Sequence, residues 1–339
     1  MHSTGLIDLQ VNGYAGVDFN DTALTADALD HALETMLRAG VTACLPTLIT
    51  AAKADLANRL HALDEAVANS RLGPLMVPGF HLEGPFLNPA PGYAGCHPVP
   101  AIIPPEPATL DRLTLGLRRP VLLLTLAPER PGALPLIRHA RAAGIAVAMG
   151  HTAADTEATE QAARAGVTLS THLGNALPQP QPKFLNPLMA QLAEDALYAS
   201  FIADFIHIPP HALKVLIRAR QPHRCILVTD ATAAAAAPPG LYRFAGMDIE
   251  HAADGSVRVP GTATLAGSAL CLDQAVRNVT AAGFADARTA LAMASQHPAA
   301  VLATALAHHG IRLPDSEVAW TGSLHPETVT LGALKIRAR

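Results

Sequence analysis

Four residues of this 339-residue chain pose the first chemical question: Glu83 in HLEGPF, His151 in GHT, His172 in THLGN and Asp230 in VTDAT. Each closes a short apolar run, where a carboxylate or imidazole is costly to desolvate unless a cation or several hydrogen-bond donors compensate. Taken singly, each has an ordinary explanation. Asp230 could cap the next helix, His151 and His172 could be core imidazoles bonded to backbone carbonyls, and Glu83 could pair with an arginine. Taken together, one Glu, two His and one Asp form a set of O and N donors suited to Zn²⁺ or a similar divalent ion, with one position left for water. Asp204 and His207 follow another apolar run, and Gln10 and Asn12 lie on the first.

Gathering residues so far apart in sequence is a task for a closed array of strands. Three segments share one grammar: LRAGVTACLPTLI (37–49), ARAAGIAVAMGHT (140–152) and ARAGVTLSTHLGN (163–175). In each, an Arg suits the C-terminal end of a helix, a Gly ends it, and a buried strand begins at once. The same reading along the chain predicts strands near 5–12, 41–49, 75–83, 120–127, 145–150, 168–172, 198–204 and 225–229. Helices are expected at 25–39, 53–69, 106–117, 134–143, 155–165, 187–194 and 210–220, the first capped by Thr25. Eight continuous apolar strands alternating with helices imply a parallel sheet covered on its outer side, and the count suits a (β/α)₈ TIM-type barrel. A doubly wound open sheet is the rival, but no GxGxxG follows the first strand. In a barrel, the chemistry sits at the C-terminal strand ends, where these polar residues stand.

Beyond the eighth strand, 241–261 reads as a hairpin insertion turning at Asp254-Gly255, followed by helical segments at 268–282 and 286–306. The expected organisation is a barrel over 1–310 and a β-rich piece over 311–339. A net charge of −4 provides no basic surface for nucleic acid. No uninterrupted apolar run approaches the roughly 20 residues of a membrane span. The start lacks a basic region followed by a long apolar segment, so cytoplasmic localisation is the expectation. Cys44, Cys96, Cys225 and Cys271 form no CxxC pair and suggest neither a disulfide framework nor a cysteine zinc site.

HLEGPFLNP (81–89), GHT (150–152), THLGNAL (171–177), LVTDAT (227–232), LAGSAL (265–270) and ASQHPA (294–299) resemble, in order, the signature segments of N-acetylglucosamine-6-phosphate deacetylases of the amidohydrolase superfamily. The resemblance runs from about residue 5 to 307. It implies the barrel fold, hydrolysis of an N-acetyl amide on an amino sugar phosphate, and a homodimer. It further implies that Glu83, His151 and His172 hold the metal, that Asp230 is the acid/base, and that His97 polarises the acetyl carbonyl. Asn175, Ala176, His207 and the LAGS backbone at Ala266 and Gly267 would line the sugar site. Where many amidohydrolases carry HxH on the first strand, this chain has Gln10 and Asn12, which resembles the branch holding a single ion. Neutral amides bind a second Zn²⁺ poorly. Zn²⁺ is the expected ion, with Fe²⁺, Co²⁺ or Mn²⁺ as substitutes.

Two departures bear on the substrate. Family members begin with a longer stretch that builds half of a small β-sandwich, whereas here the first strand starts at Gly5, so the sandwich is expected to be reduced or missing, or the start assigned short. Where the family commonly has an Arg for the phosphate, this chain offers Lys183, a point charge without the bidentate fork, or simply a surface lysine. A different N-acyl or cyclic amide, unphosphorylated, is therefore an alternative substrate, and a non-catalytic ligand-binding barrel a third reading.

Overall fold

The computed structural model describes residues 1–338. Eight parallel strands pair in sequence order: β1 (Leu6–Val11), β2 (Val41–Ile49), β3 (Phe80–Glu83), β4 (Val121–Leu126), β5 (Ala146–Met149), β6 (Val167–Ser170), β7 (Tyr198–Ile202) and β8 (Cys225–Val228). The seam between β8 and β1 is bridged just past the strand end, where Asp230 N–H donates to Gln10 O at 2.9 Å and Asn12 N–H to Ala231 O at 2.7 Å. The sheet is thus a nearly closed barrel, and its last pair of bonds locks Asp230 beside Gln10 and Asn12.

The helices begin and end where the sequence signals them. Thr25 accepts from Ala28 N–H at the start of Ala26–Arg38, and Asp155 from Ala158 N–H at the start of Thr156–Ala165. Two segments differ from expectation. The third strand opens at Phe80 rather than 75, because Gly73–Met76 forms a helical turn with a proline in its first turn, and Pro78 has no N–H for the ladder. The segment 286–306 is two helices, Ala287–Met293 and Gln296–His308, interrupted where Ala294 O accepts from Ile7 N–H at 2.8 Å. The second of these contacts β1, β4, β5 and β8, and His297 Nδ1 lies 2.7 Å from Cys225 O at the start of β8. It therefore closes the barrel at the end opposite the polar residues, and its apolar face is core.

The insertion after β8 has three strands rather than two: Gly240–Phe244, Met247–His251 and Val257–Arg258. Its first connection is the two-residue turn Ala245-Gly246, both with positive φ, which matches the twist of a hairpin. Asp18 accepts from Ala245 N–H at 2.7 Å and Arg59 donates to Ala245 O, so this turn is clasped to the barrel rim.

The C-terminal strands Ser316–Trp320, Pro326–Leu331 and Leu334–Arg337 form an antiparallel sheet whose fourth, edge strand is His2–Ser3. Trp320 is buried, donates to Ser3 Oγ, and packs its ring against Gly40 at the end of the first helix. The accessory sheet shares its apolar residues with the main core.

Candidate active site

The C-terminal mouth of the barrel brings the expected polar residues to one place. Glu83 ends β3, His151 follows β5, His172 follows β6, and Asp230 follows β8. All four are buried or nearly so, and Glu83 is only 2 % exposed. Glu83 Oε1 lies 3.0 Å from His172 Nε2 and 3.4 Å from His151 Nε2, and Oε2 lies 3.8 Å from His97 Nε2. Gln10 Nε2 donates to the same Oε1 at 3.0 Å.

Backbone and second contacts hold this cluster in place. His151, His172 and Asp230 have φ of 51°, 28° and 50°, in the left-handed region where a side chain is strained. His151 Nδ1–H donates to Tyr93 O at 2.7 Å, and His97 Nδ1 lies 2.9 Å from the Thr50 hydroxyl. Asp230 Oδ1 accepts from Asn12 Nδ2 at 2.7 Å and from Gln10 Nε2 at 3.2 Å. Gly84 has φ +86°, and a Cβ there would overlap Thr50 Oγ1, so only glycine lets the chain turn away beneath His97. Gly267, also at positive φ, passes so close to Asp230 O and Thr232 that a Cβ would stand 2.8 Å and 2.6 Å from them.

The electrostatics follow from burial among like and unlike charges. Burial favours a protonated Glu83, but the hydrogen bonds and charge from His151 and His172 override it and hold the carboxyl well below its usual range. Burial and the neighbouring His151 push His97 down to about 3, so its ring is neutral. Burial and repulsion from Glu83 raise Asp230 to about 6.

The donor set tests whether an ion belongs here. With metal–ligand bonds of about 2.0–2.2 Å, tetrahedral donors stand roughly 3.3 Å apart. The separations around Glu83, 3.0 to 3.8 Å, bracket that value. Among the described residues no lysine or arginine pairs with Glu83, so three imidazoles and one amide surround a buried carboxylate. The residues fit a divalent cation. One atom each from Glu83, His97 and His151 falls within 4.8 Å of the others, a grouping in which His97 takes the place expected of His172. His172 nevertheless makes the shortest imidazole contact to Glu83, and its buried Nδ1 has no partner among the described residues.

The cluster opens into a cavity of about 470 Å³, within the usual range for small-molecule sites. Its wall includes Asn175, Ala176, His207, Gly267, Thr264, Phe244 and the glutamines Gln179 and Gln181. Gln10 and Asn12 stand behind the wall as donors to the carboxylates, and Ala266 is buried beside it. Lys183 lies on the exposed Pro-rich loop and does not line the cavity. Among the described residues no lysine or arginine does.

Sequence reasoning missed three supports. Thr50 follows β2, Tyr93 lends its carbonyl from the loop before His97, and Glu129 follows β4. Glu129 accepts from Asn88 Nδ2 at 2.8 Å, Ala153 N–H at 2.7 Å and the Thr152 hydroxyl, fixing the turn that carries His151. A survey of all eight strand ends, rather than of those bearing His or an acid at the last position, reaches Thr50 and Glu129.

A family model described as "Amidohydrolase family" matches residues 3–305. An N-acetylgalactosamine-6-phosphate deacetylase of Escherichia coli O157:H7 is 34% identical over 299 residues, 87% of this chain and 76% of that protein. The human N-acetylglucosamine-6-phosphate deacetylase is 35% identical over 309 residues, 88% and 73% respectively. A mutant N-acetyl-D-glucosamine-6-phosphate deacetylase of Mycobacterium smegmatis, solved with N-acetyl-D-glucosamine-6-phosphate, superimposes with a TM-score of 0.84 at 29% identity, covering 97% of this chain and 85% of that one.

Proposed function

The chain belongs to the amidohydrolase family, and from that premise we propose that it removes the N-acetyl group of an N-acetylhexosamine 6-phosphate. The observation that carries the reading is the buried carboxylate Glu83 ringed by His97, His151 and His172, with Asp230 beside it on one cavity wall. Glu83 and His151, with His172 or His97, would hold one divalent ion, for which Zn²⁺ suits the mixed N and O donors. Bound there, the ion supplies Lewis acidity and a water that ionises near neutral pH.

The chain's own residues divide the remaining work. Asp230, fixed by Asn12 and Gln10 through Oδ1, takes the proton of the attacking water and returns it to the departing amine, which otherwise leaves as a strongly basic anion. His97, neutral and anchored on Thr50, donates toward the acyl oxygen, or joins the ligands if His172 does not. Asn175, Thr264 and Gly267 line the space for the sugar. The absence of lysine and arginine from the wall among the described residues favours a second reading, an N-acyl sugar without phosphate.

Acetate release from N-acetylglucosamine, N-acetylgalactosamine and their 6-phosphates, measured with the metal content of the same sample, tests the proposal. Turnover of a 6-phosphate by protein holding about one ion per chain is the expected result. Metal-bound protein that releases acetate from none of the four would sink it.

A further inference from the structure

The hairpin insertion brings a phenyl ring to the cavity. Phe244, the last residue of its first strand, lines the wall together with Ile49 and Cys96. All three belong to one apolar cluster, separate from the main core, that also holds Ile249 and Val257 of the hairpin. This patch adjoins the reacting groups. Ile49 is the register partner of Glu83 across β2 and β3, the Thr50 that follows it holds His97, and Cys96 precedes His97 in the chain. An acyl group whose oxygen meets His97 carries its methyl within reach of the patch.

One carboxylate holds both sides of it. Asp18 Oδ2 accepts at 2.7 Å from the N–H of Ala245, the residue after Phe244. Asp18 Oδ1 accepts from Asn20 N–H at 2.9 Å. Asn20 is buried, and its side chain accepts from Ile49 N–H at 3.0 Å and donates to Thr47 O at 2.9 Å. Arg59 grips Ala245 a second time, donating to its carbonyl at 3.1 Å. Apolar contact is non-directional and a lone hairpin is marginally stable, so hydrogen bonds to the barrel rim are what fix Phe244 relative to Ile49.

We propose that Ile49, Cys96 and Phe244 form the pocket for the acyl group, and that Asp18 is a positioning residue which, by holding Ala245 and Asn20 at once, sets the width of that pocket and with it the acyl length the enzyme accepts. The inference rests on the deacetylase reading and deepens it: preference for acetyl over longer acyl groups is imposed by the hairpin insertion and its clasp.

The test is the ratio of kcat/KM for the N-propionyl form of one hexosamine 6-phosphate to that for its N-acetyl form, in wild type, Phe244→Leu, Asp18→Asn and the double variant. One methylene too many in a fitted apolar pocket costs about 10–200-fold, so the wild-type ratio should be about 0.1 or lower. Leucine is smaller than phenylalanine and keeps the patch apolar, and with Phe244→Leu the ratio should rise about tenfold. Asparagine offers one acceptor oxygen where Asp18 uses two, so one arm of the clasp is lost. The ratio should then rise by about twofold to tenfold, the worth of one hydrogen bond. The double variant should fall short of the product of the two rises, because both act on one wall. An Asp18→Asn protein in which both acyl groups lose kcat/KM by one factor would show a role in folding alone and overturn the inference. An unchanged ratio in Phe244→Leu would remove the pocket. A wild type that takes propionyl as readily as acetyl would do the same and leave the deacetylase reading standing. A wild type that releases neither acid removes that reading, and the inference falls with it.

Discussion

Replacing Asp230 by asparagine changes the chemistry of one group at almost constant volume. Oδ1 already accepts from Asn12 Nδ2 at 2.7 Å and Gln10 Nε2 at 3.2 Å, so the carboxamide oxygen inherits both bonds. The new NH₂ then takes the place of Oδ2, which has no hydrogen bond among the described residues, and it cannot accept a proton. A positioned acid/base contributes about 10²–10⁴ in rate, or roughly 3–5 kcal/mol of barrier, and kcat should fall by that factor. Acetate release gives kcat, and elemental analysis of the same sample gives the ion. Asp230 is not among the residues whose donors crowd Glu83, so metal content should stay near wild type. More than about a tenth of wild-type kcat at normal metal content would refute the acid/base assignment. Loss of the ion together with activity would refute it differently, by making Asp230 a ligand.

Glu129→Gln removes the charge that gathers Asn88, the Thr152 hydroxyl and Ala153 N–H under His151, and metal affinity should fall about 10–100-fold in a competition titration against a chelator. Gly84→Ala puts a Cβ into Thr50 Oγ1 at positive φ and should lower stability by about 1–3 kcal/mol in urea while depressing activity through His97. Asp8 is fully buried, accepts from the Thr229 hydroxyl at 2.6 Å, and is raised from 3.8 to about 7 mainly by burial. In the unfolded chain this carboxyl ionises near 3.8, whereas the fold keeps its proton up to about 7. The folded state therefore binds more protons across that window, and this group's contribution is complete below it and lost as pH rises through it. The loss amounts to about 4 kcal/mol at about 1.4 per unit. Asp8→Asn should flatten the urea stability of the metal-free protein between pH 4.5 and 7 by about 3 kcal/mol, the part of that loss falling inside this range, and an unchanged slope would contradict the assignment.

The barrel was legible because its local signals agree: a capped helix such as Ala26–Arg38, a glycine such as Gly40 or Gly166, and then a strand apolar on both faces. The early start assigned to β3 shows the limit. Met76 and Val77 are as apolar as a strand residue, and only the helical turn from Gly73 removes them from the ladder. At the site, residues ending strands declared themselves by position, while loop residues such as His97 were named only through the resemblance. His97 reaches Glu83 through a segment whose path no periodicity encodes, so its place among the donors emerged only in three dimensions. Lys183 is the converse case, a residue of the right charge in a loop that leaves it outside the cavity.

The backbone at the strand ends adds a further argument. His151, His172 and Asp230 all sit at φ between 28° and 51°, where a Cβ costs about 1–2 kcal/mol and glycine is at ease. A chain selected for stability alone would place glycine at such turns, so three side chains kept there point to work done by the side chains. This makes a testable inversion. At ordinary positions a glycine is less stable than alanine by about 0.5–1 kcal/mol, because it loses more freedom on folding. In metal-free protein, where both substitutions remove the imidazole equally, His151→Gly should instead be more stable than His151→Ala by about 1 kcal/mol. Chemical denaturation of the pair measures the difference directly. Should alanine prove the more stable, the left-handed backbone at His151 carries no strain, and its presence says nothing about function.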